Sequence, residues 1–302
     1  MSAGRASVGA PLATARVAIV GLGLMGASLG YDLRGFCVRV VGVARRRETV
    51  AAAVAAGCVD EATLDGAAAV AEADLVVLAT PVRTILRQIA AWGPLLRPEA
   101  VLLDLGSTKT AICRAMAELP PHVQAIGGHP MCGKETAGLA AAEPGLYRDC
   151  LFILCPTART TPAAQALAEA LIAHIGARLL VLEPEQHDLL VAAISHLPYL
   201  AACGLVAQTA EVAALDPRVW EVAAGGFRDT TRVAASDVTM LLDILLTNRE
   251  AVLAALARYR RTLDELANLL AEGDELGLRH RLEAIAETRR AWNRSREERR
   301  PT

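Results

Sequence analysis

The chain has 302 residues, of which 53% are hydrophobic and only 3% aromatic, and its formal net charge is −2. This length suits one large domain or two ordinary ones. The nearly balanced charge argues against nucleic acid as a main partner. Seven cysteines without a C-x-x-C pair are typical of a reducing cytoplasm and offer no metal-ligand spacing, so we predict no metal site.

Residues 1–15 are predicted to form a disordered lead-in, because they contain no apolar block of the kind found in a secretory signal. The longest apolar run, residues 17–31, is interrupted by four glycines and is too short to span a membrane. We therefore expect a cytoplasmic protein with no membrane attachment.

Short apolar runs alternate with helical stretches between residues 16 and 183. Most of these runs lack an in–out alternation, which is typical of parallel strands buried on both faces. Strands that alternate with helices predict a Rossmann-like, doubly wound parallel α/β sheet, and we assign residues 16–183 to a dinucleotide-binding domain. The predicted strands are RVAIV, VRVVGVA, DLVVLAT, AVLLDL, VQAIG, CLFILC and ARLLVL.

Residues 184–292 contain helix-period segments rich in Ala and Leu and no convincing strand. The segment 238–273 is too long for one helix in a compact domain, and we predict a break near Asn248. A broad apolar stripe on long helices indicates a partner subunit, so we expect an all-helical substrate and dimerisation domain in a homodimer. Residues 293–302 are predicted to be a frayed tail.

A glycine-rich turn follows the first predicted strand. Gly21, Gly23 and Gly26 have the G-x-G-x-x-G spacing between a strand and a helix. In that context the glycines permit a tight turn, close approach of a pyrophosphate and close helix packing, respectively. A turn that binds nothing is the alternative. The predicted cofactor-binding residues of this turn are Gly21, Leu22, Gly23, Leu24, Met25 and Gly26.

The end of the second predicted strand bears on the cofactor type. An NAD site usually has Asp or Glu there for the ribose hydroxyls. This chain has Ala44 followed by Arg45, Arg46 and Arg47, and guanidinium groups suit a 2′-phosphate. We favour NADP over NAD, with Arg45 and Arg46 as phosphate contacts. The alternative is that the arginines begin a solvated helix.

Two polar motifs contain the only lysines among the 31 basic residues of the chain. Ser107 and Lys109 come directly after a predicted strand, where α/β sheets hold ligands, and His129 and Lys134 lie on a glycine-rich loop. Lysine offers a compact point charge that arginine cannot mimic at a tight site. Chance placement of the lysines is the alternative.

Two further motifs lie in the helical region. ISHLPY contains His196 and Tyr199, and GFRDTTR contains Arg228 and Arg232. His196 is interpreted either as a substrate contact or as support for its helix. The remaining histidines have no motif around them and are interpreted as surface residues: His122, His174, His187 and His280.

The motifs GLGLMG, DLGSTK, GGHPMCGKETAG, ISHLPY and GFRDTTRVAASD, in this order, resemble those of the prephenate and arogenate dehydrogenase family of tyrosine biosynthesis. The resemblance extends from about residue 16 to about residue 270. It implies an oxidative decarboxylation in which hydride passes to a nicotinamide and a hydroxyl proton passes to a base. By position, His129 matches the family's catalytic histidine, Ser107 the serine that hydrogen-bonds the same hydroxyl and orients the histidine, and Arg232 the arginine that binds a substrate carboxylate.

The resemblance leaves the substrate open between prephenate and arogenate. Many prephenate-specific members read SHLPH where this chain has Tyr199, whereas Lys134 replaces a neutral threonine of some members and favours a keto-acid side chain. The other predicted substrate-binding residues are Arg228, Arg232 and His196. Thr80, Pro81 and Lys109 complete the predicted cofactor-binding residues.

Two other classes of protein fit parts of the pattern. A 3-hydroxyacid dehydrogenase shares the glycine motif but requires a catalytic lysine on a helix near the domain junction, and no lysine follows Lys134. A redox-sensing module that binds a nucleotide and reports through a helical dimer would not need the histidine, serine and arginine set.

Overall fold

The computed structural model describes residues 10–134 and 136–298. The chain divides into two compact units, one ending at Arg249 and one beginning at Glu250. The first unit holds an eight-stranded sheet and the helices that cover it, and the second is helical.

The sheet has the strand order β3-β2-β1-β4-β5-β6-β7-β8. Every neighbouring pair is parallel except β6 and β7. The strands are β1 (Arg16–Val20), β2 (Arg39–Val43), β3 (Glu61–Thr63), β4 (Leu75–Leu78), β5 (Val101–Asp104), β6 (Gln124–Pro130), β7 (Leu151–Pro156) and β8 (Arg178–Val181).

Helices cover both faces of the sheet, and each face has its own hydrophobic cluster. Strands β1, β4 and β5 are almost wholly buried, as their continuous apolar sequences predict. The doubly wound α/β fold is therefore confirmed. The helices of this region are α1 (Ala10–Ala13), α2 (Leu24–Leu33), α3 (Arg47–Ala56), α4 (Gly66–Ala71), α5 (Val82–Trp92), α6 (Thr110–Ala117) and α7 (Pro162–His174).

The antiparallel pair departs from the predicted all-parallel sheet. Parallel neighbours need a long crossover, usually a helix, whereas antiparallel neighbours do not. In the described part of the connection between β6 and β7, the only helical element is a short 3₁₀ turn, Leu139–Ala141. The strand after β6 therefore returns beside it in the opposite direction.

The predicted lead-in is wrong for its last six residues. Ala10–Ala13 form helix α1, and Leu12 is fully buried in the core with Ala15 nearly so. These apolar side chains order the segment by packing against the sheet cluster. Residues 1–9 lie outside the described part of the chain.

Helices follow the sheet within the first unit. Helix α8 (Pro184–Val191) continues through a π-helical turn, Ala192–His196, into α9 (Leu197–Leu215). By length and composition this continuous segment is long and apolar enough to cross a membrane, and 22% of its most apolar window is buried within the protein. The unit is completed by α10 (Val219–Val222), α11 (Gly225–Thr231) and α12 (Val238–Thr247).

The predicted break near Asn248 is confirmed, because α12 ends at Thr247 and α13 (Arg249–Glu272) begins after it. The second unit contains most of α13 and all of α14 (Glu275–Glu298), which are joined at Gly273 with a φ of +69°. The predicted frayed tail is wrong for residues 293–298, since α14 includes them. Residues 299–302 lie outside the described part.

Candidate active site

The carboxyl ends of β1, β4, β5 and β6 lie at one edge of the sheet, because these four strands are mutually parallel. The glycine turn follows β1, Thr80 follows β4, Ser107 follows β5, and His129 is the penultimate residue of β6. Ligands of open α/β sheets bind outside this edge. The sheet thus places predicted cofactor-binding and catalytic residues side by side.

The glycine turn is shaped to admit a ligand. Gly21 has a φ of +103°, and a Cβ there would lie 2.6 Å from the carbonyl oxygen of Ala79. A Cβ on Gly26 would lie 1.9 Å from the carbonyl oxygen of Gly21. Gly23, in contrast, faces open space, because no atom lies within 4 Å of the position that a Cβ would take. Two glycines therefore close the turn, and the third leaves room for a pyrophosphate at the N-terminus of α2.

The connection between β6 and β7 is fastened to α2, the helix that follows the glycine turn. The Tyr147 hydroxyl donates to the Met25 carbonyl at 2.6 Å, and the Gly145 amide donates to Asp32 Oδ1 at 2.8 Å. The Glu143 amide also donates to Ser28 Oγ at 3.1 Å. The connection and helix α2 are thus held together.

His129 begins a chain of buried hydrogen bonds. Its Nδ1 lies 2.8 Å from Nε2 of His187, and Nδ1 of His187 lies 2.8 Å from Oδ1 of Asp188. His187 is fully buried and Asp188 is 3% exposed. The prediction that His187 is a surface residue is therefore wrong, because α8 turns this side chain inward against β6.

Asp188 is anchored by two backbone amides at the start of α6. Lys109 N donates to Oδ1 at 2.7 Å, and Thr110 N donates to Oδ2 at 2.9 Å. Burial alone raises the pKa of Asp188, but the hydrogen bonds from His187, Lys109 and Thr110 outweigh it and hold the pKa below its usual value. The carboxylate is therefore ionised.

The pKa of His129 lies well below its usual value of 6.5. Burial is the main cause, because it disfavours the charged imidazolium, and the positive charges that His187, Lys109 and His196 can carry act in the same direction. His129 is consequently a neutral imidazole near pH 7, which is the form that a general base requires.

Lys109 and Asp104 form a completely buried ion pair beneath His129. The Lys109 ammonium also donates to the Gly128 carbonyl at 2.7 Å, and Asp104 accepts from the amides of Gly106 and Gly128. The predicted cofactor contact of Lys109 is therefore wrong: its ammonium and its backbone amide both have buried protein partners. The residue instead fixes the strand that carries His129.

Two family models match consecutive parts of the chain. Residues 29–181 match the prephenate dehydrogenase nucleotide-binding domain, and residues 183–284 match the prephenate dehydrogenase dimerization domain. A prephenate dehydrogenase of Bacillus subtilis is 34% identical over 85% of this chain and 71% of its own length. A cyclohexadienyl dehydrogenase of Zymomonas mobilis is 35% identical over 85% of this chain and 89% of its own.

Solved structures agree with these matches. Prephenate dehydrogenase from A. aeolicus, in complex with hydroxyphenyl propionate and NAD+, superposes with a TM-score of 0.84 at 31% identity, over 91% of this chain and 97% of that one. Arogenate dehydrogenase of Synechocystis superposes with a TM-score of 0.81 at 32% identity, over 92% and 99% of the two chains.

The chain belongs to the prephenate dehydrogenase family. It is accordingly an oxidoreductase that uses NAD(P).

The arginines after β2 are exposed. Arg45 and Arg46 precede α3, and within residues 10–134 and 136–298 neither forms an ion pair. Thr80 and Pro81 follow β4, and the Thr80 hydroxyl donates to Gln88 Oε1 at 2.7 Å. Ser107 is partly accessible at the end of β5.

His196 is buried at the end of the π-helical turn, where its Nδ1 lies 3.2 Å from Asn248 Nδ2. Burial is the main cause that lowers its pKa to about 4; His187 lowers it further, whereas Asp188 opposes the shift. The same Asn248 amide donates to the Asp188 carbonyl at 2.8 Å. Through Asn248, His196 is thus connected to the buried network that contains Asp188 and His187.

The other predicted substrate-binding residues lie outside that network. Lys134 pairs with Glu143 at 2.6 Å and donates to the Ala141 carbonyl, so in this structure its ammonium contacts its own loop. Arg228 is exposed and pairs with Asp229 at 3.1 Å, and Arg232 is exposed in the 3₁₀ turn after α11. Tyr199 is partly accessible on α9.

The sequence patterns do not reveal the roles of His187, Asp188 and Asn248. A usable signal is the adjacent His-Asp pair in the first turns of a helix that is otherwise rich in Leu and Val. Asn248 is predicted only as a helix break, although an amide at that position can also donate to a neighbouring helix.

Proposed function

We propose that this protein oxidatively decarboxylates prephenate to 4-hydroxyphenylpyruvate, with hydride transfer to NADP, or to NAD as the second choice. One observation carries the proposal: a neutral His129 lies at the same carboxyl edge of the sheet as the open glycine turn. The family membership and the prephenate dehydrogenases among the relatives support it.

The reaction separates into a hydride transfer and a proton transfer. The nicotinamide, when bound, supplies the hydride acceptor, and the glycine turn with the N-terminus of α2 would hold its pyrophosphate. His129 takes the proton of the ring hydroxyl as the carbinol carbon becomes a carbonyl. Ser107 hydrogen-bonds the same hydroxyl. The dienone that results loses carbon dioxide and becomes aromatic.

Charged side chains would bind the two carboxylates of prephenate. Arg232 suits a bidentate carboxylate contact, and Arg228 and Lys134 are the further cations of the predicted site. A contact from Lys134 requires its ammonium to leave Glu143. His196 and Tyr199 complete the predicted substrate-binding residues.

Arogenate is the second candidate substrate, with tyrosine as its product. The arogenate dehydrogenase and cyclohexadienyl dehydrogenase among the similar proteins favour it, as does Tyr199 in place of a histidine. An enzyme that accepts both substrates lies between the two proposals.

The preference for NADP rests on the end of β2. Arg45 and Arg46 are exposed there, and no Asp or Glu occupies residues 44–47. Two guanidinium groups can bind a 2′-phosphate, whereas the NAD ribose would lack its usual carboxylate partner.

A cytoplasmic homodimer is the proposed assembly, with residues 16–183 as the dinucleotide-binding domain and 184–292 as the helical domain. The dimerization-domain match covers residues 183–284. Large apolar side chains are exposed on α9 and α12, which a partner subunit would cover. They include Leu205, Val212, Leu215, Val238, Leu242 and Leu246.

Initial rates with prephenate and arogenate, each with NAD and NADP, test the proposal. Prephenate with NADP is expected to be fastest. A clear preference for arogenate would replace the first candidate by the second, and no turnover in any of the four mixtures would contradict both.

The role of His129 is tested by His129→Asn. Turnover is expected to fall by about 10²- to 10⁴-fold, the usual contribution of a general base, while NADP binding persists. Unchanged turnover would contradict the assignment of His129 as the base.

A further inference from the structure

We propose that His187 and Asp188 are positioning residues that hold His129 in a single tautomer, with Nδ1 protonated and Nε2 free to accept a proton. The inference rests on the proposed role of His129 as the base, and it gives a role to two residues for which the sequence predicts none. It follows from the direction of each hydrogen bond in the buried chain.

Asp188 fixes the protonation of the His187 ring. An ionised carboxylate has no proton and can only accept hydrogen bonds. Asp188 Oδ1 lies 2.8 Å from His187 Nδ1, so this nitrogen must carry the proton. The two backbone amides at the start of α6 hold the carboxylate in place, so it cannot turn away from the imidazole.

His187 passes this constraint to His129. With Nδ1 protonated, a neutral His187 has a lone pair at Nε2 and accepts there. Nδ1 of His129 lies 2.8 Å from this nitrogen and must be the donor. His129 therefore keeps its proton on Nδ1, and the lone pair of the base is on Nε2.

The polar groups around the hydrogen-bond chain have partners of their own. Lys109 and Asp104 lie near the chain but are paired with one another, and His196 is bonded to Asn248. A proton on His187 Nε2 would reverse the bond to His129 and place the lone pair of His129 on Nδ1, facing His187. The same chain also stabilises His129 once it has taken the substrate proton, because Asp188 is ionised at the far end.

In other acid–base sites, too, a buried acceptor sets the tautomer of the catalytic imidazole. The difference here is that an imidazole stands between the base and the carboxylate. The carboxylate therefore acts on the base through one intervening ring.

Two substitutions of His187 separate positioning from packing. His187→Leu keeps an apolar side chain of similar size but leaves His129 Nδ1 without an acceptor, and kcat is expected to fall by about 10²-fold with little change in KM. His187→Gln can present an amide oxygen near the Nε2 position and is expected to retain kcat within about tenfold of the wild type. His280→Leu, at an exposed position of α14, is the matched control.

The result that would overturn the inference is equal kcat in His187→Leu, His280→Leu and the wild type. A fall in kcat of the same size in His187→Leu and His187→Gln would also overturn it, because loss of packing alone would then explain both. Thermal unfolding and NADP binding, measured on each variant, identify any that do not fold.

Nitrogen-15 NMR of the histidine rings tests the tautomer in the wild-type protein and does not depend on the activity of any variant. His129 signals are assigned by their loss in His129→Asn. A protonated Nδ1 and an unprotonated Nε2 are expected near pH 7, and the reverse would overturn the inference. This measurement does not need turnover. Absence of the proposed reaction in the assays with prephenate and arogenate is therefore distinguishable from a wrong tautomer assignment for His129.

Discussion

The two ends of the candidate site differ in how their polar side chains are held. Under β6, the side chains of Asp104, Lys109 and Asp188 are buried, and each forms at least two hydrogen bonds with other groups of the protein. On the helical side, Arg228 and Arg232 are exposed on short elements that follow the exposed helix α9. In the proposed function, the buried network supports the chemical step, whereas the arginines proposed for recognition lie on exposed elements.

If the proposed roles hold, this difference separates catalysis from recognition. A proton transfer needs its base held within a fraction of an ångström, which a buried network provides. Carboxylate binding tolerates longer, more flexible side chains. With the proposed homodimer, the exposed apolar faces of α9 and α12 would be covered, and the recognition side would be completed by assembly.

The largest expected effect is on the buried ion pair. Lys109→Met leaves the Asp104 carboxylate buried without its cation, and the free energy of unfolding is expected to fall by about 3–5 kcal/mol. Urea titration measures it. Lys134→Met removes the other lysine, whose pair with Glu143 is partly exposed, and is expected to cost about 0–1 kcal/mol. Similar losses in the two variants would contradict the difference between the regions.

The pH dependence of stability tests whether the fixed network includes His196. Because its folded pKa is lowered to about 4, the unfolded chain binds a proton first as the pH falls below about 6.5. The contribution of neutral His196 to the free energy of unfolding is therefore fully present above pH 6.5 and is lost as the pH falls towards 4. Between these values the wild type is expected to lose up to about 3 kcal/mol more than His196→Asn. Parallel pH curves in urea titrations would show that His196 lies outside the network.

The smallest expected effect concerns the open cofactor side. Replacing Arg45 and Arg46 together by Ala is expected to raise KM for NADP by about tenfold, which is about 1.4 kcal/mol, and to leave KM for NAD unchanged. Arg16→Ala, an exposed arginine at the opposite edge of the sheet, is the control. An equal rise for both cofactors would argue against a 2′-phosphate contact.

The fold can be predicted from the sequence where apolar runs are long. This signal finds seven of the strands, whereas it misses β3, with the sequence EAT, because that strand has three residues and no apolar run. The reversed direction of β7 is not visible either, because it depends on the connection that precedes the strand and not on the strand residues themselves.

The candidate site is predictable in its motifs but not in its pairings. His129 and Ser107 lie at the predicted edge, but the motif that contains Lys109 also contains its partner Asp104, five residues earlier, and nothing in the sequence pairs the two charges. The contact of His187 with His129 joins residues 58 positions apart. Such contacts depend on how α8 packs against β6.

The π-helical turn before α9 changes how residues on either side of it align around the helix axis. An i→i+5 bond encloses one residue more than an α-helical bond. In an uninterrupted α-helix, at about 100° per residue, Asp188 and His196 would differ by about 80° around the axis, and once the turn absorbs one residue the difference falls to about 20°. The main-chain carbonyl of Asp188 and the Nδ1 of His196 can then both meet the side-chain amide of Asn248. A single-residue deletion within 192–195 would therefore straighten the segment into a regular helix and keep these two residues in register, whereas a regular helix of the present length would separate them.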